Sequence, residues 1–441
     1  MALDAKPVPA NAIAHNVMAL YGVQVGRKLI PLISIPYLAR VLGPAGWGTV
    51  AFFTALAEFL VILIEFGFNI SATREIARHR DSPETCGQVM AGVLGSQVVL
   101  ASGGVLAILL AAQWIPLFQR NHWLLFSGLF YGVAQGFSPV WFFQGMERMR
   151  LSAALELTGK AMALGCLFVF VHSPGDGWKV LALGGLAPAL MTLVGLTLAY
   201  REIPLRWPTL ELIRPALVMG WPMFVFRSAE SLYGVGNVFL LGLFAAPELV
   251  GYFSSAEKIA KAVSGLLNPI REAIFPRLSR LAKSGGREAA APLARRGAMI
   301  TIAGGLVLSL ALFLGAPLAI RILLGGPFLE AIAVLRIFSA LPLLLSITYS
   351  VGFQWLLPFG KDRLINRVIL LAGVTNVMLS LLLARPFAHI GMAWAVVLSE
   401  TVVCCCMVFA VWRMFEEWNA APQPVLEVLR AESIQTTGSF R

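Results

Sequence analysis

Twelve stretches of about 20 mostly apolar residues follow one another along this chain, separated by short polar segments. They fall near residues 12–38, 47–70, 87–112, 123–144, 152–172 and 179–200, then 216–246, 249–275, 297–323, 330–358, 367–384 and 389–412. A helix of that length spans the hydrocarbon core of a bilayer and satisfies its own backbone hydrogen bonds where no water can. The composition agrees: 58% of the residues are hydrophobic and only 13% charged, against about 25% charged in soluble domains. The expected fold is therefore all-α and polytopic, with about 12 transmembrane helices.

Lysine and arginine set the orientation. One set of loops holds Arg74, Arg78 and Arg80, then Arg148 and Arg150, then Arg201, Arg206 and Arg214. It continues with Arg277, Arg280, Lys283, Arg287, Arg295 and Arg296, and ends with Lys361, Arg363 and Arg367. The opposite loops hold only Arg40, Arg120, Lys179 and Arg385. The bias puts both termini in the cytoplasm. It also accounts for the net charge of +11, so a nucleic-acid partner is not expected. The segment Met1–Asn11 has no cleavable-signal pattern and reads as a cytoplasmic lead into the first span.

The twelve spans divide into two sets of six at the proline-bearing loop 201–215, with a tail at 413–441. An N-lobe over 12–200 and a C-lobe over 216–412 enter the membrane from the same side, so any repeat between them is parallel. Pro44-x-x-x-Gly48 after span one and Pro247-x-x-x-Gly251 after span seven are such an echo. Prolines inside spans, including Pro31, Pro36, Pro188, Pro222, Pro269 and Pro317, predict kinked helices. Cys86, Cys166 and Cys404–Cys406 show no metal or disulfide spacing and read as small apolar filler.

Charges at membrane depth carry the functional information. An Arg or Lys at the bilayer centre costs about 2.5–3.5 kcal/mol on insertion scales, so it faces a cavity or a partner. Arg27 and Lys28 lie mid-span in span one, with Gln24 one turn away. Arg227 lies in span seven beside Glu230, with Asn237 further on. In span eight Glu257, Lys261, Ser264, Asn268 and Glu272 recur at helical spacing, flanked by Lys258 and Arg271. Span two contributes Glu58 and Glu65.

Some of these charges can neutralise one another within a helix: Glu257 with Lys261, Arg227 with Glu230, Glu156 with Lys160. Every aspartate lies in a loop or terminus. Arg27, Lys28, Arg227, Lys258, Lys261 and Arg271 are thus candidates to line a cationic cavity suited to a diphosphate. Glu58, Glu65, Glu230, Glu257 and Glu272 are candidates for charge balance or ion coupling, and Gln24, Asn237 and Asn268 for polar lining. No phosphate-binding loop of an ATP motor and no metal or cofactor motif occurs, so no cofactor is expected and a proton or sodium gradient is a candidate for coupling.

Several stretches resemble Wzx-type flippases of the multidrug/oligosaccharidyl-lipid/polysaccharide exporter superfamily. They are Tyr21-x-x-Gln24, the run Pro31–Gly43, Gly46-x-Gly48, Glu65–Asn69 followed by Ser71–Ala77, Trp141–Met149, Ala256–Ile259 and Phe275–Ser279. The resemblance covers residues 12 to 410. It implies two six-helix lobes around a central cavity in the bacterial inner membrane. It further implies movement of undecaprenyl-diphosphate-linked oligosaccharide units for O-antigen or exopolysaccharide assembly, among membrane lipid and alongside a polysaccharide polymerase and chain-length machinery. A drug exporter of the same superfamily is the first rival and should show a cavity of carboxylates without cations. A lipid II flippase is the second and would have about fourteen spans. A membrane glycosyltransferase would need larger polar loops than this chain has.

Overall fold

The computed structural model describes the backbone from Ala10 to Ala420, and side chains from Ile33 to Glu416 except at residues 232, 233, 285, 287 and 353. The expected cytoplasmic ends, 1–11 and 413–441, fall largely outside that range. Fifteen α-helices are arranged in the order α1 (Ala10–Glu65), α2 (Phe68–Arg78), α3 (Pro83–Ala111), α4 (Pro116–Arg120), α5 (His122–Gly136), α6 (Val140–Gly145), α7 (Met149–Phe170) and α8 (Gly177–Ala199). The second half continues with α9 (Leu210–Gly234), α10 (Gly236–Phe244), α11 (Pro247–Ser264), α12 (Asn268–Leu323), α13 (Ala331–Phe338), α14 (Leu341–Val351) and α15 (Asp362–Ala420). No strand occurs among the described residues.

Helix starts follow local chemistry. Ser82 caps α3, accepting from the Thr85 amide at 3.4 Å, with Pro83 in the first turn. Before α8, Asp176 accepts from the His172 and Ser173 amides at 3.0 Å each and pairs with Lys179 at 2.6 Å. Helix α11 opens on Pro247 and Glu248, a residue pair suited to a helix N-terminus.

The three longest helices are not single rods. Helix α1 breaks at Gly43 (φ 69°, ψ 175°), α12 at Gly286 (φ 60°, ψ −149°) and α15 at Ala388 (φ 46°, ψ −125°). Each break separates two arms. In α1 and α15 it falls between two apolar stretches read from the sequence; in α12 it falls inside the basic segment that precedes span nine. The breaks do not coincide with the mid-span prolines: Pro188, Pro222 and Pro317 all lie inside continuous helix. Seven helical segments among the described residues are long and apolar enough to cross a membrane. The seven are fewer than twelve because breaks do not end these segments and because stretches such as α5 and α10 are short.

Aromatic and aliphatic side chains form several buried clusters. One joins the halves, packing Trp47, Val50 and Ala51 of α1 with Phe253 and Ala256 of α11 and with Ile320, Phe328, Phe338 and Met392. A second packs Phe66, Phe68 and Trp141–Phe143 against α3 and α9. Outward, Leu306, Val307, Leu310, Phe313, Leu314 and Leu318 form an exposed apolar row on α12. Such a row suits lipid and not water.

Candidate functional site

The two Pro-x-x-x-Gly segments meet. Pro44–Gly48 begins the second arm of α1, Pro247–Gly251 begins α11, and their backbones cross in direct contact. A Cβ on Gly48 would collide with the Pro247 carbonyl oxygen and lie 2.7 Å from the Gly251 nitrogen. A Cβ on Gly251 would collide with the Pro44 carbonyl oxygen and lie 3.3 Å from the Gly48 nitrogen. The contact is reciprocal, and small residues are what let helices approach this closely. Nearby, Arg40 donates to the carbonyls of Ile322 and Leu323, and the Tyr37 hydroxyl donates to the Val171 carbonyl at 2.7 Å.

The crossing brings buried Trp47 against α11, where the Lys258 ammonium lies 4.5 Å from its ring centroid. Lys258 makes no ion pair among the described residues, although Glu58 and Glu257 act on it electrostatically. The other cations are more committed. Lys261 pairs with Glu257 at 2.8 Å and donates to the Gly234 carbonyl at 3.2 Å, which bears out the intrahelical pair. Arg227 lies 3.6 Å from Glu230 and 4.0 Å from Glu65, so it links α9 to α1. Arg271 stacks 3.7 Å from the Tyr349 ring centroid and donates to Asn268 at 3.4 Å, while its buried Nε and Nη2 have no hydrogen bond among the described residues. Arg27, Lys28 and Gln24 lie outside the residues whose side chains are described.

The stripe expected along one face of span eight is interrupted. A 3₁₀ turn over Gly265–Leu267 separates α11 from α12. Glu257 and Ser264 are buried, whereas Lys261 and Glu272 are exposed. Asn237 is buried against α15, accepting from the Ser380 hydroxyl at 3.3 Å.

A cavity of about 390 Å³ lies within the first half, between the second arm of α1 and helices α2, α3, α5, α6 and α7. Its charges come from Glu58, Glu65, Glu156 and Lys160. Each carboxylate is held: Glu58 accepts from the Tyr131 hydroxyl at 3.2 Å, Glu65 from the Asn69 amide at 2.9 Å, and Glu156 pairs with Lys160 at 2.7 Å. Lys258 and Arg227 from the second half, with Lys160, act electrostatically on Glu58. Glu58 therefore lies within electrostatic reach of cations from both halves.

The rest of the lining is uncharged and includes Gln144, from the run Trp141–Met149 noted in the sequence, and Gln97 and Gln135, which did not stand out there. A single amide in an apolar span has no periodicity to betray it. Glu400, a carboxylate in the last apolar stretch of the sequence, is 7% exposed, with no ion pair among the described residues. Close by on α15, the Asn376 amide donates to Ser399 at 3.1 Å.

Residues 13–282 match the family described as "Polysaccharide biosynthesis protein". A protein of Escherichia coli (strain K12) named "Putative O-antigen transporter" is 30% identical over 414 residues, covering 92% of this chain and 97% of its own. One of the same name from Shigella dysenteriae is 27% identical over 390 residues, covering 87% and 95%. Among solved structures, the lipid II flippase MurJ in an inward closed conformation aligns with a TM-score of 0.70 at 12% identity, covering 90% of this chain and 87% of that one. An inward-facing multidrug resistance MATE family transporter of the MOP superfamily gives 0.65 at 15% identity, covering 90% and 100%. At such identities these two structures speak for the fold.

Proposed function

The chain belongs to the polysaccharide biosynthesis protein family, a multi-pass protein of the bacterial inner membrane, and we propose that it flips undecaprenyl-diphosphate-linked oligosaccharide repeat units from the cytoplasmic to the periplasmic face. The twelve-span, two-lobe organisation with cytoplasmic termini is part of this reading. So is alternating access, with the α1–α11 crossing as the gate on the periplasmic side. Proton or sodium coupling would run through the buried glutamates.

The observation that carries the reading is Lys258. It is a cation without an ion pair among the described residues, set at the junction of the two halves and held over an aromatic face. A phosphate arriving there meets a charge not already neutralised by a carboxylate. Arg227, shared between Glu65 and Glu230, lies further along α1 than Glu58, on the side away from Lys258, and would be a later contact on the substrate's path. Arg27 and Lys28 complete the proposed diphosphate site on sequence grounds. The polyprenyl chain stays in lipid, and a polymerase and chain-length machinery act after release.

One observation favours the rival reading of a cationic-drug exporter: the cavity holds three carboxylates and one ammonium. Each of those carboxylates is engaged, however, and the named relatives are O-antigen transporters. A single experiment separates the two. In a strain dependent on this protein for surface polysaccharide, Lys258→Gln should abolish polymer display at unchanged protein level and leave lipid-linked oligosaccharide on the cytoplasmic face. Normal display in Lys258→Gln and in Arg227→Gln, with loss of resistance to cationic dyes instead, would overturn the flippase reading.

A further inference from the structure

The cavity of the first half has a chemistry unlike that of the seam beside it. Its volume of about 390 Å³ lies within the ~300–1,000 Å³ range of small-molecule pockets. That is far more than a bare ion needs, and an ion would want its carboxylates free. Here all three carboxylates already accept from a neighbouring hydroxyl, amide or ammonium.

Two lining residues have buried groups with no hydrogen-bond partner among the described residues. Gln97, 1% exposed, donates to the Gly136 carbonyl at 2.9 Å, but its Oε1 accepts nothing. Trp141, 3% exposed, has an unpartnered Nε1. One is an acceptor and the other a donor. A hydroxyl is both, and a ring carrying several hydroxyls satisfies both at once. Gln135, Gln144 and Ser138 add further amides and a hydroxyl around the same space. Even with Arg227 beside Glu65 counted with Lys160, the three carboxylates outnumber the cations, so a phosphate or a uronate would meet like charge at short range.

We infer that this cavity is a subsite for an uncharged sugar residue of the carried oligosaccharide, one that excludes uronic acids at that position. The assignment rests on the flippase reading for its ligand. It also gives the substrate a direction: diphosphate at Lys258, and a neutral sugar beyond Glu58 in the first half. The acidic lining thus serves selection by charge.

The test uses the full-length protein in nanodiscs and three probes: N,N′-diacetylchitobiose (neutral), a disaccharide of glucuronate and N-acetylglucosamine (anionic), and inorganic pyrophosphate. Binding is followed by saturation-transfer NMR and calorimetry. The neutral disaccharide should bind at least tenfold more tightly than the uronate. Gln97→Leu and Gln144→Ala should each weaken it at least fivefold and leave pyrophosphate binding unchanged. Glu58→Gln should narrow the gap between the two disaccharides.

Gln144 is only half-buried, so Gln144→Ala remains informative if Gln97→Leu fails to fold. Equal binding of the two disaccharides, neutral-sugar binding indifferent to both glutamine variants, or stabilisation by sodium alone would overturn the subsite. Pyrophosphate binding that ignores Lys258→Gln would instead count against the diphosphate reading, whatever the sugars do. The two failures are therefore distinguishable.

Discussion

Lys258 and Glu400 are opposite solutions to a charge at membrane depth. Lys258 lies over the Trp47 ring, an arrangement worth about 0.5–2 kcal/mol, and keeps its charge available to a ligand. Glu400 is 7% exposed and has no ion pair among the described residues, so no neighbouring cation there repays its desolvation. Glu400→Gln keeps the shape and removes the charge. It should raise the melting temperature in detergent, by an amount corresponding to about 1 kcal/mol, and lower polymer export if the carboxylate takes part in coupling. A lower melting temperature would mean that Glu400 has a stabilising partner after all.

Pairs within one helix were readable at this scale: Glu257–Lys261, Glu156–Lys160 and Arg227–Glu230 all form. Their spacing alone decides contact. Contacts between halves, such as Arg227 to Glu65 and Lys258 to Trp47, depend on how helices far apart in sequence pack. No local pattern encodes them.

At the scale of elements, hydropathy located the apolar arms, and the breaks between some of them lie where a backbone torsion forces a turn. Gly43 (φ 69°, ψ 175°) occupies a region essentially restricted to glycine, and a Cβ there would meet nothing within 4 Å. Its role is conformational and not steric. A Cβ added to Gly103 of α3 would likewise meet nothing within 4 Å, but Gly103 has ordinary helical torsions. Gly43→Ala should therefore destabilise by about 1–3 kcal/mol, and Gly103→Ala should stabilise by up to about 1 kcal/mol. Thermal melts of the two variants check this; a shared sign would show that the Gly43 torsion does not govern the break.

The basic segment 277–296, read as a loop, is helical because Leu278, Ala290 and Ala294 bury a small apolar face against Leu281, Trp355 and Phe359. Its charge is what hydropathy registered, and that concealed the apolar face. The span-eight stripe failed for a related reason: the 3₁₀ turn at Gly265–Leu267 shifts the phase midway.

Across the whole molecule, the reciprocal contact of Pro44–Gly48 with Pro247–Gly251 makes the α1–α11 crossing the structural form of the sequence echo. Packed interfaces of this kind change in discrete steps, because a close-packed contact cannot be stretched. A methyl at Gly48 or at Gly251 would collide with the opposing proline carbonyl, and backbone atoms cannot swing aside as a side chain could. Either substitution must therefore part the helices at that end and favour the conformation in which the crossing is open.

The readout is accessibility. Ala51, 5% exposed and one turn beyond Trp47, packs in the cluster that joins the halves. In a background with the five native cysteines replaced, Ala51→Cys should resist a membrane-impermeant maleimide added outside the cell. Gly48→Ala or Gly251→Ala should raise its labelling at least severalfold, and the double variant should add little, since one methyl already separates the pair. If labelling stays at the parent level in both single variants, the crossing is a fixed joint and the gate lies elsewhere. If it rises only when reagent is added from the cytoplasmic side, the orientation assigned from loop charge is inverted.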